Sequence, residues 1–246
     1  MKDERIIVDS KHVVLNDALI YCEYTGDKEA PVIVFLHGNG EDLHIFDAQI
    51  RYFSPNFRVV AIDTRGHGKS TRGDSPLDFH TFADDLAYVF NALQIDKAHI
   101  VGFSDGAITA LHFALTKPEL VSSMILLGAN YHPKGLRLMP RIQIRLYYVC
   151  LSIASLFSVK RRKQKEIWGL MVSQPQLTIK ELSQITTPTL IIAGENDMVS
   201  QRHTNEIYHA ITGSQRLIIP NGNHFWMFKQ PEVFHQCIKD FLQIED

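Results

Sequence analysis

The stretch Ala98–Leu115, AHIVGFSDGAITALHFAL, decides the fold. Its opening AHIVGF is a continuous apolar run, as expected of a strand buried on both faces of a sheet. The following SDGAITALHFAL reads as a helix of small and apolar residues. Between them lies Gly102-Phe103-Ser104-Asp105-Gly106. A sharp strand-to-helix turn there lifts the Ser104 hydroxyl above the sheet edge, and the glycines on either side keep that crowded turn open. The helix then directs its N-terminus, the positive end of its dipole, at the hydroxyl. The plain alternative is an ordinary glycine-rich turn.

Outward from this unit the same alternation recurs. Pro31–Leu36 (PVIVFL), Phe57–Ile62 (FRVVAI), Met124–Leu127, Thr189–Ala193 and Arg216–Ile219 read as further strands. Ile6–Val8, Val13–Leu15 and Leu19–Tyr24 read as antiparallel opening strands. Phe79, Phe82, Leu86, Val89, Phe90 and Leu93 recur at spacings of three and four, one face of a helix over Phe79–Leu93. Pro231–Leu242 closes the chain as a helix with proline at its start. The pattern predicts an α/β fold, a largely parallel sheet with helices on both faces. The chain of 246 residues suits one domain, 1–246, interrupted only at about 131–182.

Composition narrows the class. A chain this long buries a large core without disulfides. Its net charge of −2 offers no general case for nucleic-acid binding. Cys22, Cys150 and Cys237 form no C-x-x-C pair and are expected to be buried thiols in a reducing compartment. The N-terminal MKDERIIVDS lacks the apolar stretch of a signal peptide. A cytoplasmic location follows as the expectation.

A serine hydroxyl needs a base within hydrogen-bond reach. Of the 12 histidines, His224 follows the strand RLIIP and Asn221-Gly222-Asn223, read as a tight turn at the carboxyl edge of the sheet. Sites in open α/β sheets lie along that edge. Asp197 follows the strand TLIIA at the same edge and is the candidate to orient the histidine; Glu195 is the alternative. A tetrahedral intermediate needs backbone N–H donors placed in advance. The amide of Asp105 is one candidate, and that of Asn39, in His37-Gly38-Asn39-Gly40, is the other. His37 is read as a brace for that loop.

Four segments together resemble the α/β-hydrolase superfamily, in particular its small esterases and C–C bond hydrolases. They are HGNG at 37–40, DTRGHGKS at 63–70, GFSDG at 102–106, and GEND with NGNH, ending at Asp197 and His224. The resemblance implies a mostly parallel eight-stranded sheet with a helical cap insertion, and hydrolysis through an acyl-enzyme with no metal or organic cofactor. Ser, Asp, His is also that fold's chain order. Members with an Asp nucleophile, the dehalogenases and epoxide hydrolases, are disfavoured by Ser104. Asp63, Arg65 and His67 are given a structural role. Asp105 resembles a variant found in some amino-acid-ester hydrolases, where an acid here would attract a cation; a structural carboxylate is the other reading.

In this family the interruption at 131–182 forms a lid. Here it holds nine Lys or Arg residues between Lys134 and Lys165 and no Asp or Glu. Sixteen basic against 27 acidic side chains remain elsewhere, a balance of −11. Its apolar run of about 14 residues is too short to span a bilayer. Two readings stand: a helix whose apolar side lines the pocket, or a surface meeting anionic lipid or an anionic acyl substrate. Phe103, Tyr147 and Phe225 are the candidate pocket residues. The expected function is hydrolysis of a small-molecule carboxylic ester with an apolar acyl part. Alternatives are C–C cleavage of a ring-fission or β-diketone-like product, and a ligand-binding protein that retains the triad.

Overall fold

The computed structural model of the protein describes residues 8–244. Eight strands form one sheet: β1 (Asp9–Val14), β2 (Leu19–Thr25), β3 (Val32–Leu36), β4 (Arg58–Ile62), β5 (Ala98–Phe103), β6 (Val121–Leu127), β7 (Thr189–Asn196) and β8 (Gln215–Asn223). Their spatial order is β1-β2-β4-β3-β5-β6-β7-β8. The β1–β2 and β2–β4 pairs are antiparallel, and all others are parallel.

Each central strand divides its apolar residues between two cores, because successive side chains point to opposite faces. Val34 and Leu36 of β3 face the core filled by α2 (Phe79–Ala92), α3 (Asp105–Thr116) and α7 (Gln201–Ala210). Ile33 and Phe35 face the other core, with α1 (Asp47–Phe53) and α8 (Pro231–Leu242). Three helices, α4 (Leu138–Ala154), α5 (Val159–Ser173) and the short α6 (Ile179–Leu182), lie between β6 and β7.

Several expectations need adjustment. Residues 6 and 7 of the strand expected at Ile6–Val8 lie outside the described residues, and Val8 belongs to no strand. The strand expected at Val13–Leu15 begins earlier, at Asp9, and ends at Val14. It is an edge strand with only Val13 buried, so its outer half carries no apolar signal. Asn221-Gly222-Asn223 is not a separate turn: β8 runs through it, Asn223 pairs with Asn196, and the register shift falls between Gly194 and Asn196. Cys150 is exposed, whereas Cys22 and Cys237 are buried.

Candidate active site

Three chain segments meet at the carboxyl edge of the sheet. Ser104 follows β5 directly and sits in the left-handed region, with φ 51° and ψ −113°. That conformation is unfavourable for a residue with a Cβ and is held by its surroundings. The Ser104 N–H donates to Leu127 O at 2.8 Å, and the Ser104 carbonyl accepts from Ala107 and Ile108 in the first turn of α3. Gly106 is required by close approach: a Cβ there would stand 2.0 Å from the carbonyl oxygen of Leu36.

His224 follows β8 and brings its Nε2 to 3.2 Å from Ser104 Oγ. Its Nδ1 lies 2.8 Å from Asp197 Oδ1. Asp197 Oδ1 also accepts from the Val199 N–H at 2.9 Å, so the carboxylate is oriented from two sides. This arrangement assigns the proton to Nδ1 and leaves Nε2 as acceptor toward the serine. Asp197 and His224 are buried, so their bond is little screened by water. Asp197, not Glu195, meets the imidazole; Glu195 Oε2 instead accepts from the Asn221 N–H at 2.8 Å.

The Asp105 N–H, first of α3, has no acceptor within the helix. Loop 37–40 stands against it, linked through side chains: Asn39 Nδ2 donates to Asp105 Oδ2 and to Ile167 O, both at 2.8 Å. One amide thus ties the loop to α3 and to α5. Burial pushes the Asp105 carboxyl up to about 6, against the lowering effect of the Asn39 hydrogen bond. The Gly38 N–H donates to Glu41 Oε2 at 3.0 Å, and burial pushes the Glu41 carboxyl up to about 7.

Behind this, DTRGHGKS forms a braced turn. Asp63 accepts from the Leu43 and Lys69 N–H groups. Arg65 makes paired hydrogen bonds of 2.8 and 2.7 Å to Asp85 and a third to Asp17. His37 Nε2 accepts from the Thr64 N–H at 3.0 Å, and its Nδ1 lies 2.8 Å from Gly38 O. Burial lowers the His37 imidazole to about 4, so the ring is a neutral brace.

Comparison with known proteins settles the family. A family model described as the alpha/beta hydrolase fold matches residues 31–164. The chain belongs to the α/β-hydrolase family. This hydrolase is 28% identical to "Serine hydrolase BPHL" of Homo sapiens, covering 96% of its own length and 87% of that protein. It is 25% identical to "3-oxoadipate enol-lactonase 1" of Acinetobacter baylyi, covering 90% and 92% respectively. The crystal structure of carboxylesterase CesB (YbfK) from Bacillus subtilis superposes with a TM-score of 0.78 at 22% identity, covering 97% of this chain and 92% of that one. That likeness is one of fold.

The pocket of this α/β hydrolase differs from the expected one. Ser104 and His224 open onto a cavity of about 20 Å³, room for about one water molecule. Its walls include Ile108, Asn130, Leu136, Met171, Gln174 and Val199. None of the three expected pocket residues is among its lining. Phe103 is buried with the α1/α8 core, and the His224 ring lies 4.9 Å away. The reason is strand alternation: the side chain preceding the serine points to the other side of the sheet. Phe225, half-exposed, packs against the rings of Phe103 and His224. Tyr147 is 41% exposed and packs on Trp168, 4.4 Å between ring centroids.

Some lining residues had a readable signal. Asn130 and Val199 lie just after β6 and β7, at the edge that Ser104 already marked. Met171 and Gln174 come from the α5 end of the insertion, and only packing places them. Gly128 was also missed. It sits just after β6 with φ 59°, and a Cβ there would stand 2.6 Å from His224 Cε1. A larger groove of about 590 Å³ is bordered by Tyr148, Leu156 and Arg162, and Gln174 lines both it and the cavity.

Proposed function

We propose that this α/β hydrolase cleaves small or medium carboxylic esters through an acyl-enzyme on Ser104. The observation that carries the reading is the continuous chain Ser104 Oγ–His224 Nε2, His224 Nδ1–Asp197 Oδ1, at 3.2 and 2.8 Å. In this reading Ser104 Oγ attacks the ester carbonyl as His224 Nε2 takes its proton, and Asp197 stabilises the imidazolium. The backbone N–H groups of Asn39 and Asp105 hold the oxyanion. Collapse of the intermediate breaks the C–O bond, and His224 returns the proton to the leaving alcohol. Water, activated by the same histidine, then frees the acid and regenerates the serine.

The cavity walls support an apolar acyl part, since Ile108, Leu136, Met171, Met198 and Val199 dominate them. A lactone is an internal ester, so the likeness to an enol-lactonase fits the same chemistry. Asp105 is read as a brace for Asn39 rather than as a cation receptor, because its carboxylate is buried and already engaged. A cytoplasmic site of action is part of the proposal, supported by three cysteines that form no disulfide.

The test is the initial rate on p-nitrophenyl esters from acetate to palmitate, for wild type and Ser104→Ala. The expected result is saturable turnover that Ser104→Ala abolishes, with the preferred chain length sizing the pocket. No Ser104-dependent turnover on any ester would overturn the ester reading in favour of C–C cleavage or ligand binding.

A further inference from the structure

On α4 the usual arrangement of a surface helix is reversed. Ile144 and Leu151, seven residues apart, are its buried side chains, and Ile144 packs with Leu136, Val199 and the half-buried Trp168. Ile142, Leu146, Val149 and Ile153 fall within about 40° of the opposite direction at roughly 100° per residue. All four are exposed, Leu146 by 62% and Ile153 by 60%. The turn into α5 adds Leu156, Val159 and Phe157, the last 85% exposed. The apolar side of the helix therefore faces outward and does not line the cavity. A water-facing helix surface is ordinarily polar, and a continuous apolar patch marks a surface that meets a partner.

Charge indicates which partner. Lys160, Arg161, Arg162 and Lys163 follow Phe157 at the start of α5 and are all exposed. Arg141 and Arg145 flank the apolar stripe about one quarter-turn away. The insertion carries no acid between Lys134 and Lys165, in a chain that balances to −11 elsewhere. A second copy docking by two-fold symmetry would set this cationic patch against itself. An anionic bilayer matches both features, taking the apolar side chains to the acyl boundary and the cations to its headgroups.

We propose that the outward face of α4 and the α4–α5 turn dock this protein onto an anionic phospholipid bilayer. The attachment is peripheral; no helix among the described residues is long and apolar enough to cross a membrane. The 590 Å³ groove is lined by Leu156 and Arg162 at the same edge, and Gln174 lines both it and the Ser104 cavity. If the ester reading holds, a docked molecule receives apolar esters from the bilayer without their crossing bulk water. The docking itself does not depend on that reading.

Sedimentation with phosphatidylcholine vesicles, with and without phosphatidylglycerol, tests it. Wild type is expected to pellet with the anionic vesicles and to stay largely in the supernatant with the neutral ones. Leu146→Ser with Phe157→Ser abolishes binding. Arg161→Gln with Lys163→Gln weakens it on the order of tenfold or more, at about fivefold per cation, and raised salt does the same. Both double variants keep wild-type turnover of a water-soluble ester and wild-type circular dichroism, which shows that they fold. Ser104→Ala pellets like wild type, so loss of the ester reading leaves the docking result intact. Equal binding to both vesicle types, or binding to neither, overturns the proposal. So does a concentration-dependent dimer that Leu146→Ser with Phe157→Ser dissociates while vesicle binding stays absent.

Discussion

The contact between Ser104 and His224 depends on residues that carry no chemistry of their own. Gly128 is the clearest, since a methyl group at that position would overlap the edge of the His224 ring. The imidazole would have to shift, and a displacement of about 1 Å in a catalytic group costs on the order of 10²-fold in rate. Gly128→Ala is therefore expected to lower kcat by about that factor while KM changes much less. Steady-state kinetics on the best p-nitrophenyl ester checks this, and an unchanged kcat would show that the histidine does not need that space. The three residues of the chain Ser104–His224–Asp197 were legible from sequence because each follows a recognisable strand at one edge. Gly128 follows a strand too, but nothing in the sequence says which ring lies against its missing Cβ.

Among the elements, the loop after β4 is held to its neighbours by charge. Arg65 reaches α2 through paired bonds to Asp85 and reaches the β1–β2 turn through Asp17. Burial raises the Asp85 carboxyl while the Arg65 hydrogen bonds lower it. Arg65→Met leaves that carboxylate buried without its partner, a change that costs about 3 kcal/mol or more. The urea unfolding midpoint is expected to fall accordingly, and Arg65→Lys to recover little because lysine lacks the planar fork. A midpoint equal to wild type would show that solvent replaces the pair. The helix pattern of α2 was readable because its apolar face meets the sheet. α4 misleads for the converse reason: its apolar residues are plain in the sequence, but the side they face depends on what packs against Ile144 and Leu151.

At the scale of the whole molecule, acid stability is governed by buried imidazoles. His37, His67, His112 and His203 are each lowered to about 4, chiefly by burial. Between the ordinary 6.5 and about 4, the unfolded chain binds protons that the folded one refuses. Their contribution to stability is present above 6.5 and is lost as pH falls through that window. Glu41 and Asp105, raised to about 7 and about 6 by burial, act in the opposite sense, as do the raised Asp63 and Asp85. His99, His132 and His235 are lowered as well, so four carboxyls stand against seven imidazoles. Urea midpoints are therefore expected to drop steadily from pH 6.5 toward 4. A midpoint that stayed flat across that range would mean that these histidines take up protons without unfolding.

The sequence by itself determined the sheet, its class and the segments that meet at its carboxyl edge. Strand burial and the crowded turn at Ser104 are local constraints, expressed by runs of apolar residues and by glycines within a few positions of one another. Tertiary structure alone decided that Asp197 rather than Glu195 meets His224, and that Asn39 is clamped to α5 through Ile167. It also placed Met171 and Gln174, not Tyr147, at the cavity, and turned the apolar side of α4 outward. These outcomes depend on how segments distant in the chain pack together, and a pattern of residue types along one segment does not encode which face its neighbours will cover.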